Sequence, residues 1–148
     1  MICKRIAEFS VEKSNSKGSL SDRKGGKSNY FFTNPHSKTY YQIDFEKDVF
    51  EDNDTKCDFG IKTESSIFFI ELKGSDVKKG VVQLLETIKT TEKCFANLDL
   101  RARLIVSKYP KPDIVRKTKE YKDLVKKLNH LEGKNENLII KTSFTENI

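Results

Sequence analysis

The sequence predicts an α/β domain built around a mixed sheet, and three observations carry that prediction. Short runs rich in aromatic and β-branched residues fill much of the first half of the chain. One of them, SIFFIELKG, is apolar at five of the six positions from Ile67 to Leu72, as in a central strand covered on both faces. After it the apolar spacing changes to a helical period over residues 77–93 and again beyond Asp113. The resulting order, β-β-β-α-β-α-β, belongs to a sheet with helices packed on it.

Taken in order, residues 1–13 are read as a short helix, because Ile2, Ile6 and Phe9 recur at roughly helical spacing. Residues 14–29, SNSKGSLSDRKGGKSN, offer little to bury and read as a flexible basic loop. NYFFTN and KTYYQIDFEKDVF read as strands with Asn34 and Pro35 between them, and EDNDT as an acidic turn. KCDFGIKT and SIFFIELKG follow as two strands split at Glu64 and Ser65. Asp76 is placed to cap a helix whose stripe is Val77, Val81, Leu84, Leu85 and Ile88. RARLIVSKY is a further strand ended by Pro110 and Pro112. Asp113 can cap a second helix with Ile114, Tyr121, Leu124, Val125 and Leu128 on one side, and Gly133 can stop it. NLIIKTSF closes the pattern as a short strand.

A length of 148 residues fits one domain, 1–148, without an internal repeat. Lysine and arginine outnumber acids 28 to 22, and the net charge of +6 favours a polyanionic partner. The three cysteines, Cys3, Cys57 and Cys94, are odd in number and widely spaced, so the expectation is reduced thiols in a cytoplasmic protein. Cys57 and Cys94 read as small buried residues. No apolar run approaches the ~20 residues of a membrane helix.

The charged end of the apolar strand is where chemistry is expected. Glu71 and Lys73 lie two residues apart, so a strand points both to one face. Asp58 sits on the preceding strand, and a hairpin would bring it beside Glu71. Neighbouring carboxylates repel, and a divalent cation relieves the repulsion. Mg²⁺ accepts such oxygen ligands together with water and phosphate, and the backbone carbonyl of Leu72 could supply one more. Such a centre can activate water for in-line attack on phosphorus, with a lysine positioning the water or stabilising the developing charge. Gly74, next in sequence, would leave room for a close backbone approach. Alternation turns Cys57 to the face opposite Asp58. His36 and His130 lack metal spacing and read as loop or surface residues. Asp44, Glu46, Asp48, Asp52 and Asp54 read as a solvated hairpin, with Asp44 the member that could face a metal. The bases of KTKEYKDLVKK read as a solvated helix face, whereas the lysine-rich loop from Lys17 to Lys27 is the better phosphate-tracking candidate.

KCDFGI, FFIELKG and SDVKKGVVQLLETI together resemble the core of the PD-(D/E)xK nuclease superfamily over roughly residues 40–108. The resemblance implies a restriction-endonuclease-like mixed β-sheet flanked by helices. It gives Asp58 the place of the first acid, Glu71 the second and Lys73 the lysine. Gln83 resembles the glutamine that RecB-like members place beside the site. Cys57 stands where the motif has proline. An N-terminal helix usually supplies a further glutamate, for which Glu8 and Glu12 are candidates and Glu8 the better one. The implied activity is an Mg²⁺- or Mn²⁺-dependent endo- or exonuclease acting on DNA. The alternative is a catalytically silent module of the same fold that binds nucleic acid or a protein. Many such domains pair, so a homodimer is expected.

Overall fold

A computed structural model describes residues 1–148 other than Lys24, Asp52 and the side chain of Asp48, so the readings above for those three lie outside the described residues. In chain order the elements are α1 (Ile2–Phe9), β1 (Val11–Lys13), β2 (Lys17–Ser21), β3 (Asn29–Thr33) and β4 (Tyr40–Asp44). A π-helical turn (Phe45–Val49) precedes β5 (Phe59–Lys62), β6 (Ser66–Lys73) and α2 (Val77–Thr91). A 3-10 turn (Glu92–Phe95) leads to β7 (Asp99–Val106), α3 (Pro112–Arg116), α4 (Lys119–Lys127), β8 (Leu138–Lys141) and β9 (Thr145–Asn147).

The main sheet is mixed, six-stranded and ordered β1-β4-β5-β6-β7-β8. β1/β4, β4/β5 and β5/β6 pair antiparallel, while β6/β7 and β7/β8 pair in parallel. β6 lies inside the sheet and buries seven of its eight residues, as its apolar run demands. Alternation along β6 divides two cores. Ile67 and Phe69 face helices α2 and α4 together with Val81, Leu84 and Leu124. Phe68, Ile70 and Leu72 face the other way, against Leu20, Tyr30 and Phe32. Those last residues belong to a small sheet, β2-β3-β9, so helices flank one face and a three-stranded sheet the other.

Several sequence expectations are corrected. The stretch 14–29 is not all loop: Lys17–Ser21 pairs with Asn29–Thr33 as β2 and β3. Only Leu20 in β2 is buried, so hydropathy could not mark a strand held by backbone bonds. The helical reading of 1–13 stops at Phe9, and Val11–Lys13 pairs with β4. The strand expected through Phe50 ends at Asp44, whose side chain accepts the Lys47 amide at 2.8 Å and caps the π-helical turn. That turn buries Phe45, Val49 and Phe50 on the helix side. The single helix expected after Asp113 is two. Pro112 starts α3, and Thr118, accepting the Tyr121 amide, caps α4. α4 ends near Asn129, which adopts a left-handed conformation, so Gly133 is not its stop. The cysteine expectation also fails, because Cys3 of α1 and Cys94 form a disulfide with Cα atoms 5.3 Å apart. Cys57 is buried but lies in the helix-side core rather than opposite Asp58, because β5 begins only at Phe59 and alternation does not reach back to it. Among the described residues no helix is long and apolar enough to cross a membrane.

One glycine sets the distance between α2 and the sheet. A Cβ on Gly80 would lie 2.7 Å from Leu104 Cδ1 and 3.3 Å from Lys73 Cγ. Without it α2 approaches β6 and β7 closely, and Gln83, one turn on, is carried to the C-terminal end of β6. Gly74 plays no such part, since a Cβ there would meet only Ser107 Oγ at 3.8 Å.

Candidate active site

The β5–β6 hairpin pairs Phe59 with Ile70, a register that sets Asp58 across from Glu71 one step further along. The Asp58 amide donates to Glu71 Oε1 at 3.0 Å. The Leu72 amide donates to Asp58 Oδ2, also at 3.0 Å. Lys73 Nζ stands 3.4 Å from Glu71 Oε2, its side chain 17% exposed and that of Glu71 only 1%. Glu71 and Lys73 continue the helix-facing side of β6, beyond Ile67 and Phe69.

Helix α2 closes this side. Asp76 caps it by accepting the Lys79 amide at 3.1 Å. Gln83 Nε2 donates to the Lys56 carbonyl at 2.9 Å. Thr87 Oγ1 accepts the Cys57 amide at 2.7 Å and donates to the Gln83 carbonyl at 2.7 Å. The helix is therefore laced to the segment that leads into Asp58. Gln83 Oε1 is a buried acceptor without a hydrogen-bond partner.

Burial dominates the electrostatics. It pushes the Glu71 carboxyl up to about 8, helped by the charge of Asp58 and opposed by Lys73 and the Asp58 amide. Burial also raises Asp58; the Leu72 amide works against the rise, and Glu46, hydrogen-bonded to Asp58, reinforces it. Carboxylates crowded in a poorly solvated place bind a proton or a cation to relieve their repulsion.

Asp58, Glu71, Lys73 and Gln83 line one cleft of about 540 Å³, with Leu72 in its wall. Glu46 and Arg23 line it too; Arg23 belongs to the Lys17–Lys27 stretch already read as a phosphate-tracking candidate, whereas no motif in the sequence singles out Glu46. In the sequence, Glu46 reads as part of a solvated hairpin. The signal for its true place was the apolar spacing of Phe45, Val49 and Phe50, which fits a helical turn better than a strand. Phe45 stacks on Phe69 with ring centroids 5.9 Å apart, and Gly60 leaves space for its ring. Glu46, the next residue, is thereby set at the cleft. Asp44 does not line the cleft; its Oδ1 takes Arg23 Nη2 at 2.8 Å. Burial acts against the charge of Arg23, the bond to Asp44 and the fields of Asp44, Glu46 and Asp58 act for it, and the net effect is upward.

Glu8 does not reach the cleft. Ile6 turns the buried face of α1 inward, and Glu8 is exposed on a separate depression beside Val49 and Thr90. Glu12 is exposed on β1, where it accepts the Tyr41 hydroxyl at 3.2 Å. His130 lies in the loop after α4 and contacts Asn135 and Glu132. A larger depression, about 1450 Å³, opens at the other end of β6, where its acids Glu64 and Asp99 are exposed.

Among the described residues no group of three or more His, Cys, Asp or Glu side chains is arranged to hold a metal ion. The oxygen set in the cleft nonetheless suits a hard cation of the Mg²⁺ type, which binds through one or two carboxylates and leaves its other positions to water and phosphate. The charge-frustrated pair Asp58–Glu71 and the orphaned Gln83 Oε1 are the observations that fit it. No family model, no curated protein and no solved structure matches the chain.

Proposed function

We propose that the protein is a metal-dependent phosphodiesterase that cleaves DNA, on a restriction-endonuclease-like variant of the mixed α/β fold. The observation that carries the proposal is the burial of Glu71 beside Asp58 and Lys73 at the end of a central strand. A stability-driven sequence has no need of two repelling carboxylates in a dry cleft. Asp58, Glu71 and the Leu72 carbonyl would hold Mg²⁺ or Mn²⁺, which when bound supplies an activated water and neutralises phosphate charge. The ammonium of Lys73 faces the same space and stabilises charge that builds on the phosphoryl oxygens. Gln83 orients water or phosphate through its unsatisfied oxygen. Glu46 takes the part of the additional acid for which Glu8 and Glu12 were candidates.

A pair of these domains, each addressing one strand, belongs to the same reading. Light scattering that gives one chain per particle at working concentration would remove the pairing without touching the chemistry. The central test is cleavage of plasmid, linear and branched DNA with Mg²⁺ or Mn²⁺, compared with Glu71→Ala and Lys73→Ala. Cleavage by the native chain and loss of cleavage in both variants is the expected result. A native chain that cuts none of these, yet binds DNA, would shift the reading to the silent binding module.

A further inference from the structure

The turn between β2 and β3 is fastened to the candidate catalytic strand. The Asp22 amide donates to the Ser28 carbonyl at 3.2 Å and closes the turn. Ser28 is buried, and its Oγ donates to the carbonyl of Lys73 at 2.6 Å. A segment of the small sheet is thus tied to the backbone of the residue whose side chain enters the cleft from the main sheet.

Arg23 stands on this turn and lines the cleft. Its guanidinium lies over the Phe59 ring, 4.6 Å from the centroid, and bonds Asp44. Phe59 directly follows Asp58, so the stacked guanidinium sits beside the first acid of the site. The side chain keeps 39% of its surface exposed and has donors to spare, since a guanidinium carries five and a single bond to Asp44 uses one. A planar fork, stacked on an aromatic face at the rim of an acid-bearing cleft, suits bidentate recognition of a phosphate.

We infer that Arg23 is a substrate-binding residue that grips a backbone phosphate of the nucleic acid next to the scissile one, with Asp44 as its resting partner. This rests on the phosphodiesterase reading of the Asp58–Glu71 centre. It adds that recognition comes from the small sheet while chemistry comes from the main one. The sequence placed phosphate tracking in this basic stretch; the structure narrows it to one guanidinium held at a fixed place.

The test is equilibrium binding of a short fluorescein-labelled DNA duplex, measured by anisotropy over a salt series in the Glu71→Gln background, with cleavage measured in parallel in the otherwise native chain. Arg23→Ala is expected to weaken binding by about 10-fold and to lower the salt dependence by about one ion. Arg23→Lys should recover part of the affinity, because it keeps the charge and loses the fork. Asp44→Asn should bind as tightly as the parent or more tightly, since it frees the guanidinium. If Arg23→Ala binds like the parent, the inference is wrong. It is equally wrong if Arg23→Ala and Asp44→Asn weaken binding alike, because the pair would then be structural. A native chain that cuts DNA beside an Arg23→Ala variant of unchanged affinity overturns this inference alone. A native chain that neither binds nor cuts overturns the reading on which it rests.

Discussion

Asp58 and Glu71 hold each other through the main chain: the Asp58 amide bonds the Glu71 carboxylate, and the amide that follows Glu71, that of Leu72, bonds the Asp58 carboxylate. Each acid is therefore positioned by the strand that carries the other. A one-residue slip of β5 against β6 would break both bonds and turn Asp58 to the face opposite Glu71.

If the chain cleaves DNA as proposed, loss of any one of the three charged groups should remove that cleavage. Asp58→Ala, Glu71→Ala and Lys73→Ala are each expected to lower the cleavage rate by at least about 10²-fold. Asp58→Asn keeps an oxygen to accept the Leu72 amide, so it should fold as well as the native chain and still be inactive. Single-turnover cleavage beside thermal melting separates the two effects. A Lys73→Ala variant that cleaves at the native rate would contradict the role proposed for that ammonium.

The proton affinity of Glu71 makes stability depend on pH in a stated direction. Its folded value of about 8 lies above the ordinary 4.5, so the folded chain holds this proton more tightly than the unfolded chain. Stability from this group is full below about 4.5 and is lost as pH rises towards about 8. Glu71→Gln should therefore lose less stability than the native chain as pH rises from 5 to 8, a difference on the order of a few kcal/mol at pH 8 that shows as a higher melting temperature. Added Mg²⁺ should stabilise the native chain more at pH 8 than at pH 5, and the Gln variant little at either. Parallel melting curves for the two proteins at every pH would argue against a strained carboxylate.

The disulfide links positions 91 residues apart. Reduction, or Cys3→Ser, is expected to destabilise the fold by about 2–4 kcal/mol, seen as a lower melting temperature in reductant. Thiol titration of the unfolded, unreduced chain should find one free group, that of Cys57. Three free groups in protein isolated under thiol-trapping conditions would show that the bond does not form where the protein works.

Arg103 is fully buried and takes Glu146 through Nε at 2.7 Å and Nη2 at 3.0 Å. The Tyr30 hydroxyl donates to the same carboxylate at 2.6 Å. Glu146→Ala leaves a buried guanidinium without its counter-ion and should cost about 3–5 kcal/mol. Arg103→Met with Glu146→Leu should recover much of that loss. Chemical denaturation reads both, and a Glu146→Ala variant as stable as the native chain would refute the assignment.

The parts of the molecule that sequence made legible are those where one strong pattern decides. The apolar run of β6 and the Asp76-capped stripe of α2 bury large contiguous surface, so their periodicities survive in the structure. Glu71 and Lys73 followed from β6 alone. What stayed illegible depends on distant partners. Nothing local distinguishes β2, whose one buried side chain packs against the main sheet. Spacing gives no hint that α1 carries Cys3 to Cys94. Glu46 looked like one acid among several because the π-helical turn that aims it is fixed by Phe45 packing on Phe69, a contact between elements. β9, three residues long, exists because Phe31, Phe32 and Thr33 give it an edge to pair with.

The Cys3–Cys94 bond also makes the first two-thirds of the chain a covalent ring. Arg23, Glu46, Asp58, Glu71, Lys73 and Gln83 all fall inside it, and β7 through β9 form a tail outside. A single protease cut anywhere in the ring would leave the fragments bearing those residues joined, running as one species on a gel until a reductant is added. Every group that the proposed chemistry requires is thus carried on one closed loop of polypeptide.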